Sequence, residues 1–88
     1  MKTEFDPNKS AANIAKRELP FEMVAEFDFD GAVMSQDTRK LYPEIRFNAL
    51  GYLGERLYFV CFTPIAGGIR VISFRKANKR EERSYANT

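Results

Sequence analysis

The sequence predicts an α+β domain in which two N-terminal helices pack on an antiparallel β-sheet meander that a short C-terminal helix closes. Apolar residues recur at helical spacing near the N-terminus, three later runs are rich in β-branched and aromatic residues, and glycine-containing turns separate those runs. Helices on one face of an antiparallel sheet bury the apolar side of both layers. The 88 residues are expected to form a single domain, 1–88.

A short edge strand at residues 1–5 is expected before the first helix. Asp6 is suited to the N-cap of that helix and Pro7 to its first helical position, and apolar residues then recur at helical spacing. Pro20 interrupts this helix. A second helix is expected to run from Pro20 over residues 21–27, so the N-terminal part forms an elbow of two short helices.

The sheet is expected to follow a turn at residues 28–31, with a brief strand at residues 32–34 and a polar loop at residues 35–43. Three stronger strands are predicted at residues 45–52, 56–64 and 69–75. The middle strand of these three is apolar on both faces, which is typical of a central strand.

The last stretch joins the final strand to a charged helix. Asn78 is suited to the N-cap, and Glu81 three residues later completes a capping box. Six cations lie between residues 70 and 83, whereas seven acids face two cations between residues 18 and 44. This asymmetry predicts a basic face that binds a polyanion, with an ordinary solvated surface as the alternative.

The residue types that are missing exclude several kinds of active site. The chain has no histidine, which excludes Ser-His-Asp and Cys-His catalysis and histidine-based metal sites. Its acids are scattered and it has no phosphate-binding glycine motif, so we expect no metal and no cofactor. Cys61 lies in an apolar run, which predicts a buried thiol in a reducing cytoplasm. No apolar run is long enough to span a membrane.

Several pieces of the sequence occur in an order that resembles one family. The run Ile69-Arg70-Val71-Ile72-Ser73-Phe74-Arg75-Lys76-Ala77, followed by Lys79-Arg80-Glu81 and Tyr85, resembles the closing motif of BrnT-type toxins of bacterial toxin–antitoxin pairs. Further similar pieces are Phe5-Asp6-Pro7 with Lys9, Asn13 and Lys16, then Phe21-Glu22 with Ala25, then Asp37 and Arg46. The resemblance covers nearly the whole chain.

The resemblance implies a RelE-like fold and a toxin that cleaves RNA and arrests translation. It also implies a BrnA-like antitoxin with a ribbon-helix-helix DNA-binding part, and a heterotetramer of the two proteins. The opening run lacks the family's tryptophan, and the main departure from the family motif is at a histidine that follows the lysine of the first helix. Here Arg17 follows Lys16. If the motif histidine is a catalytic acid or base, an arginine can bind phosphate in its place but cannot shuttle protons near neutral pH. If it is a packing or antitoxin-contact residue, the change matters little.

Cleavage of RNA by its own 2′-hydroxyl group needs no histidine, metal or cofactor, and cations are suited to it. Arginine grips phosphate with a planar fork, and a carboxylate or phenol can transfer protons. The predicted catalytic residues are Arg46, Arg70, Arg75, Glu81 and Tyr85. The predicted RNA-binding residues are Lys16, Arg17, Ser73, Lys76, Lys79 and Arg80.

Strand periodicity limits how these arginines combine. Arg70 and Arg75 are five residues apart, so on a regular strand they point to opposite faces of the sheet. Only one of them shares a face with Arg46 unless a bulge intervenes, and Arg75 is favoured because it adjoins the basic helix start. The alternative function is a non-catalytic RNA- or protein-binding module of the same fold.

Overall fold

The computed structural model describes residues 1–88, which form one mixed five-stranded sheet with helices. The elements in chain order are β1 (Lys2–Phe5), α1 (Pro7–Arg17), a 3₁₀ helix (Phe21–Glu26), β2 (Val33–Gln36), β3 (Phe47–Leu53), β4 (Arg56–Ile65), β5 (Gly68–Lys76) and α2 (Lys79–Ala86). The strand order is β1-β5-β4-β3-β2. No helix is both long enough and apolar enough to cross a membrane.

The α+β class, the central position of β4 and the capped C-terminal helix are confirmed. Asn78 accepts a hydrogen bond from the Glu81 amide at 2.8 Å, and the Glu81 carboxylate accepts one from the Asn78 amide at 2.9 Å. This reciprocal pair is the capping box that the sequence predicts.

The prediction of two N-terminal α-helices is wrong for the second one. Only six residues separate Pro20 from Phe27, and they form a 3₁₀ helix, the conformation that short segments favour. Two strand boundaries also differ from the prediction. Strand β2 includes Ser35 and Gln36, which were assigned to a loop, and β3 begins at Phe47, so Arg46 lies just before the strand.

The sheet is mixed and not a pure antiparallel meander, because β1 pairs parallel to β5. The parallel register places Lys2 beside Gly68 and Phe5 beside Val71. A Cβ atom on Gly68 would overlap the Lys2 carbonyl oxygen, so the strands pair closely only because residue 68 has no side chain.

The core lies on one face of the sheet, under the 3₁₀ helix, and the only buried residues of α1 are the polar Ser10 and Asn13. Val24 of the 3₁₀ helix is fully buried there together with Val60 of β4 and Phe74 of β5. Phe5 of β1 packs edge-on against Phe21, with ring centroids 6.0 Å apart. The helical layer and β1 are therefore joined to the three long strands by one apolar cluster.

A bulge in β5 decides which side chains share the other face, here called the second face. Phe62 pairs with Val71 and Cys61 with Ser73, so Ile72 is an extra residue in β5. The bulge inverts the alternation of side chains after Val71, and Arg70 and Arg75 consequently share the second face. Strand periodicity alone predicted opposite faces, with a bulge as the stated exception.

Candidate functional site

Helix α1 carries cations into a groove beside β5. The Asp6 side chain accepts a hydrogen bond from the Asn8 amide at 2.9 Å, and Pro7 occupies the first turn, as predicted. The helix ends at Glu18, which adopts a left-handed conformation with φ of 59°. Lys16 and Arg17 thus lie in the last turn, where cations are favoured by the helix dipole.

Asn13 fixes the position of α1 against the sheet. Its buried Nδ2 donates to the Leu19 carbonyl at 2.8 Å and to the Phe74 carbonyl at 2.9 Å. Phe74 lies on β5 beyond the last residue that pairs with β1, so Asn13 satisfies an edge carbonyl that no strand covers. Arg17 Nη1 donates to Asn13 Oδ1 at 2.7 Å, which directs the guanidinium towards β5.

Two cavities, of about 210 and about 300 Å³, lie between α1 and β5, and Arg17 lines both of them. No carboxylate lines either cavity. We call the two cavities together the α1–β5 groove and define it by its polar lining residues Lys9, Asn13, Lys16, Arg17, Ser73, Arg75 and Lys76. Four of the predicted RNA-binding residues and one predicted catalytic arginine therefore lie together.

The groove cations differ in their partners. Arg75 forms an ion pair with Glu81 at 2.8 Å. The other cations of the groove have no carboxylate within 4.0 Å: Lys9, Lys16, Arg17 and Lys76. A phosphate that enters the groove would meet mostly cations whose charge is not already neutralised by a carboxylate.

Arg75 is held by two kinds of contact. Its guanidinium lies 4.1 Å from the centroid of the Phe59 ring, on the second face of the sheet. Its Nη1 and Nη2 donate to the two carboxylate oxygens of Glu81 at 2.8 and 2.9 Å. These hydrogen bonds lower the pKa of Glu81 below its ordinary value of 4.5, so the carboxylate is ionised at neutral pH.

The other two predicted catalytic arginines lie outside the groove, each paired with an acid. Arg70 Nε donates to Glu4 at 2.8 Å, across the β1–β5 pair. Arg46 Nε donates to Glu44 at 3.0 Å, and its guanidinium lies 4.1 Å from the Tyr42 ring centroid. Arg46 lines a separate cavity of about 350 Å³ formed by residues 36–46. The structure does not join Arg46 and Arg75 in one cavity.

Helix α2 crosses the end of the sheet, away from the groove. The Tyr85 hydroxyl donates to the Gly31 carbonyl at 2.8 Å, and its ring packs edge-on against Tyr52 at 5.4 Å. Lys79 and Arg80, at the start of α2, line neither cavity of the groove. Of the residues predicted on this helix, only Glu81 contacts a groove residue.

Sequence reasoning named Lys9 and Asn13 only as family positions and missed their part in the groove. The sequence does contain a pattern that indicates this, because residues 9, 13 and 16 are spaced so that they share one face of a helix. Cys61 is buried as predicted, and its burial raises the pKa of the thiol. The structure contains no group of three or more Cys, Asp or Glu side chains placed to hold a metal ion.

Comparison with known families defines the class of protein. A family model described as "Ribonuclease toxin, BrnT, of type II toxin-antitoxin system" matches residues 5–81, far more than half of the chain. The matched region includes α1, the 3₁₀ helix, strands β2 to β5 and the start of α2, so it contains all the groove residues. The class is therefore that of ribonuclease toxins of type II toxin–antitoxin systems. The chain belongs to the BrnT family, and no curated protein or solved structure matches it.

Proposed function

We propose that this BrnT-family protein is a metal-independent endoribonuclease that cleaves RNA and so arrests translation, with the α1–β5 groove as its RNA-binding site. The observation that carries the proposal is one groove that gathers five cations and no carboxylate among its lining residues. Four of these cations have no ion-pair partner, and Lys16, Arg17 and Lys76 are among them. Such a groove follows a phosphate backbone and does not require a particular base sequence.

The proposed reaction uses the RNA's own nucleophile. The 2′-oxygen attacks the adjacent phosphorus, the bond from phosphorus to the 5′-oxygen breaks, and the products are a 2′,3′-cyclic phosphate and a 5′-hydroxyl end. A base takes the 2′-proton, and an acid supplies a proton to the leaving oxygen. The protein must then position the chain and stabilise charge on the non-bridging oxygens, and cations can do this without a metal ion.

Arg75 and Glu81 have linked roles in this proposal. The fork of Arg75 binds a non-bridging oxygen of the scissile phosphate, which requires the guanidinium to exchange its Glu81 partner for phosphate. Release removes the Arg75 hydrogen bonds that lower the pKa of Glu81, and an ordinary glutamate carboxylate is still ionised at neutral pH and can accept the 2′-proton. Arg46 and Arg70 extend the charged surface on the second face, while a proton-transfer role for Tyr85 requires its hydroxyl to leave Gly31.

The proposed partner is a BrnA-like antitoxin with a ribbon-helix-helix DNA-binding part, assembled with the toxin as a heterotetramer. An acidic segment of the antitoxin would compete with RNA for the four cations of the groove that lack carboxylate partners. Inhibition then needs no second site. Co-purification of the product of a neighbouring ribbon-helix-helix gene with this chain supports the pair, and failure of that product to bind contradicts it.

The experiment for the enzyme is incubation of purified protein with single-stranded RNA in the presence of EDTA, followed by analysis of the RNA ends. We expect fragments with cyclic phosphate ends, and we expect Arg75→Ala to remove them. Arg83→Ala is the matched control, because Arg83 is exposed on α2 and has no ion-pair partner. Intact RNA with folded protein, or cleavage only after a divalent metal is added, would contradict the proposal.

One observation favours a second function, which is RNA binding without cleavage. Arg17 occupies the position of the motif histidine, and its guanidinium donates to Asn13. An arginine there supplies charge and no acid or base. If this function is correct, the protein binds RNA with an affinity that falls steeply with salt, and no fragments appear.

A further inference from the structure

The two edges of the sheet are protected very differently. The β1 edge carries Lys2 and Glu4, and Asn13 of α1 covers β5 beyond the end of β1. The β2 edge, Val33–Gln36, has no charged residue and no proline, and all four of its residues are exposed. An unprotected edge with exposed apolar side chains is a template for pairing with another strand.

The unpaired backbone groups of β2 belong to two residues. The Asp37 amide donates to the Arg46 carbonyl at 2.8 Å, which continues the β2–β3 ladder. In an antiparallel ladder every second residue forms its backbone hydrogen bonds with the neighbouring strand. Ser35 therefore bonds to β3, as Asp37 does. The backbone N–H and C=O groups of Met34 and Gln36 point away from β3, towards the open edge of the sheet. These groups set the register in which a further strand can pair.

We propose that β2 pairs antiparallel with β2 of a second copy of this chain, which joins two five-stranded sheets into one. A two-fold axis perpendicular to the sheet at Ser35 sets Met34 of each copy opposite Gln36 of the other. Each such pair exchanges two backbone hydrogen bonds. Because the two-fold axis is perpendicular to the sheet, the core faces of the two copies lie on the same side of the joined sheet. The outward groups of both residues are thereby satisfied.

The charges that flank β2 fit this antiparallel pairing. Glu26, Asp28 and Asp30 come before the strand, whereas Asp37, Arg39 and Lys40 follow it. Arg39 forms an ion pair with Asp37, so Lys40 is the cation on this flank without a carboxylate partner. Antiparallel pairing brings the acidic flank of one copy to the basic flank of the other, while parallel pairing would join like charges. Asp30 and Lys40 are each five residues from Ser35 along the chain, and both are exposed without a hydrogen bond or ion pair within the chain.

The apolar surface beside β2 fits the same partner. Met34 is 49% exposed and lines an apolar groove of about 510 Å³ with Phe29, Phe47 and Phe62, on the core face of the sheet. Pairing about Ser35 places the two Met34 side chains close together and extends this groove across the interface. Strand β5 lies at the far side of the sheet, so the α1–β5 grooves of both copies stay open.

The test is the molar mass of the purified chain over a range of concentrations, measured by sedimentation equilibrium. We expect a concentration-dependent dimer. Asp30→Lys and Lys40→Asp should each raise its dissociation constant by about tenfold, because each change replaces two attractions by two repulsions. The double variant should recover the wild-type constant. Glu55→Lys, the same charge change in the exposed β3–β4 turn, is the control and should leave the constant unchanged.

Hydrogen exchange of backbone amides locates the interface. In the dimer the backbone amides of residues 34 and 36 should exchange slowly. In Met34→Lys they should exchange rapidly, because two lysines near the two-fold axis repel each other and separate the copies. The side chain at residue 34 is exposed in the single chain, so this change should not disturb the fold. A monomer at every concentration would overturn the proposal. So would a dimer in which these two amides exchange rapidly, or one in which the double variant fails to recover affinity.

Discussion

The Arg75 guanidinium donates to both carboxylate oxygens of Glu81, at 2.8 and 2.9 Å, while the same carboxylate caps α2 by accepting from the Asn78 amide. One carboxylate thus joins the start of α2 to the only groove cation that has an ion-pair partner. A phosphate bound at Arg75 would compete with Glu81, so the proposed RNA binding would be coupled to the anchoring of α2.

Glu81→Gln should increase the affinity for RNA. The change removes the anion that competes for Arg75, and we expect the dissociation constant to fall by about threefold at low salt. Fluorescence anisotropy with a labelled single-stranded RNA measures this. Glu82→Gln is the matched control, because Glu82 is exposed and forms no ion pair. An equal gain in both variants would mean that general charge, and not release of Arg75, is the cause.

The same pair predicts a pH dependence of stability. The pKa of Glu81 is lower in the folded protein than its ordinary value of 4.5, because Arg75 donates hydrogen bonds to it. Its contribution, about 1 kcal/mol, is therefore present above pH 4.5 and is lost as the pH falls through the lowered pKa. Urea unfolding should show wild type more stable than Glu81→Gln at pH 7 and a difference that closes in acid. A constant difference down to pH 3 would contradict this.

Asn13→Ala should destabilise the protein by about 2–3 kcal/mol, because two buried carbonyl groups lose their donor. Urea unfolding measures this, with Asn8→Ala as the control on an exposed position of the same helix. The control should change stability by less than about 0.5 kcal/mol. Similar values for both variants would show that the Asn13 contacts do not hold α1 on β5.

Arg17→His should make RNA affinity depend on pH. The histidine is charged near pH 5.5 and neutral near pH 8, so the variant should bind like the wild type in acid and like Arg17→Ala in base. Arg17→Ala should also reduce the slope of log affinity against log salt by about 0.7, the value for one lost phosphate contact with a single strand. A slope unchanged from wild type would place the RNA away from Arg17.

Gly68→Ala should displace β1, because the new methyl group overlaps the Lys2 carbonyl oxygen. We expect a loss of more than about 2 kcal/mol in the free energy of unfolding, measured in urea. Gly31→Ala is the control, since its methyl group meets only the side chain of the exposed Asp28 and no backbone atom. Equal losses in the two variants would contradict the close parallel pairing of β1 with β5.

Local signals predicted much of this fold, because they depend on near neighbours. The Asp6 cap, the Asn78–Glu81 capping box and the apolar character of β4 are all visible in short windows of sequence. The parallel β1–β5 pair joins residues 66 positions apart, and no local pattern encodes such a pairing. The one residue whose type reflects this pairing is Gly68, because a side chain there would overlap the Lys2 carbonyl. In the sequence alone, this glycine is typical of the turn before the last strand.

The groove was partly predictable. The basic character of β5 and of the end of α1 is evident in the sequence, and it selected Lys16, Arg17, Arg75 and Lys76. The bulge at Ile72, which sets Arg70 and Arg75 on one face, depends on pairing with β4 and has no local signal. The carboxylate partners of Arg46 and Arg70 were also missed, because ion pairs depend on tertiary contacts that sequence spacing does not show.

The central claim is that RNA binds in the α1–β5 groove, and the most direct measurement is RNA affinity and cleavage by Lys16→Ala/Lys76→Ala. Neither lysine has an ion-pair partner, so the fold should be unaffected. The control is Arg56→Ala/Arg83→Ala, which removes two exposed cations outside the groove. We predict that affinity falls about tenfold in the groove variant, with a matching loss of cleavage, and changes little in the control. Equal losses in both variants, or none in the groove variant, would contradict the claim.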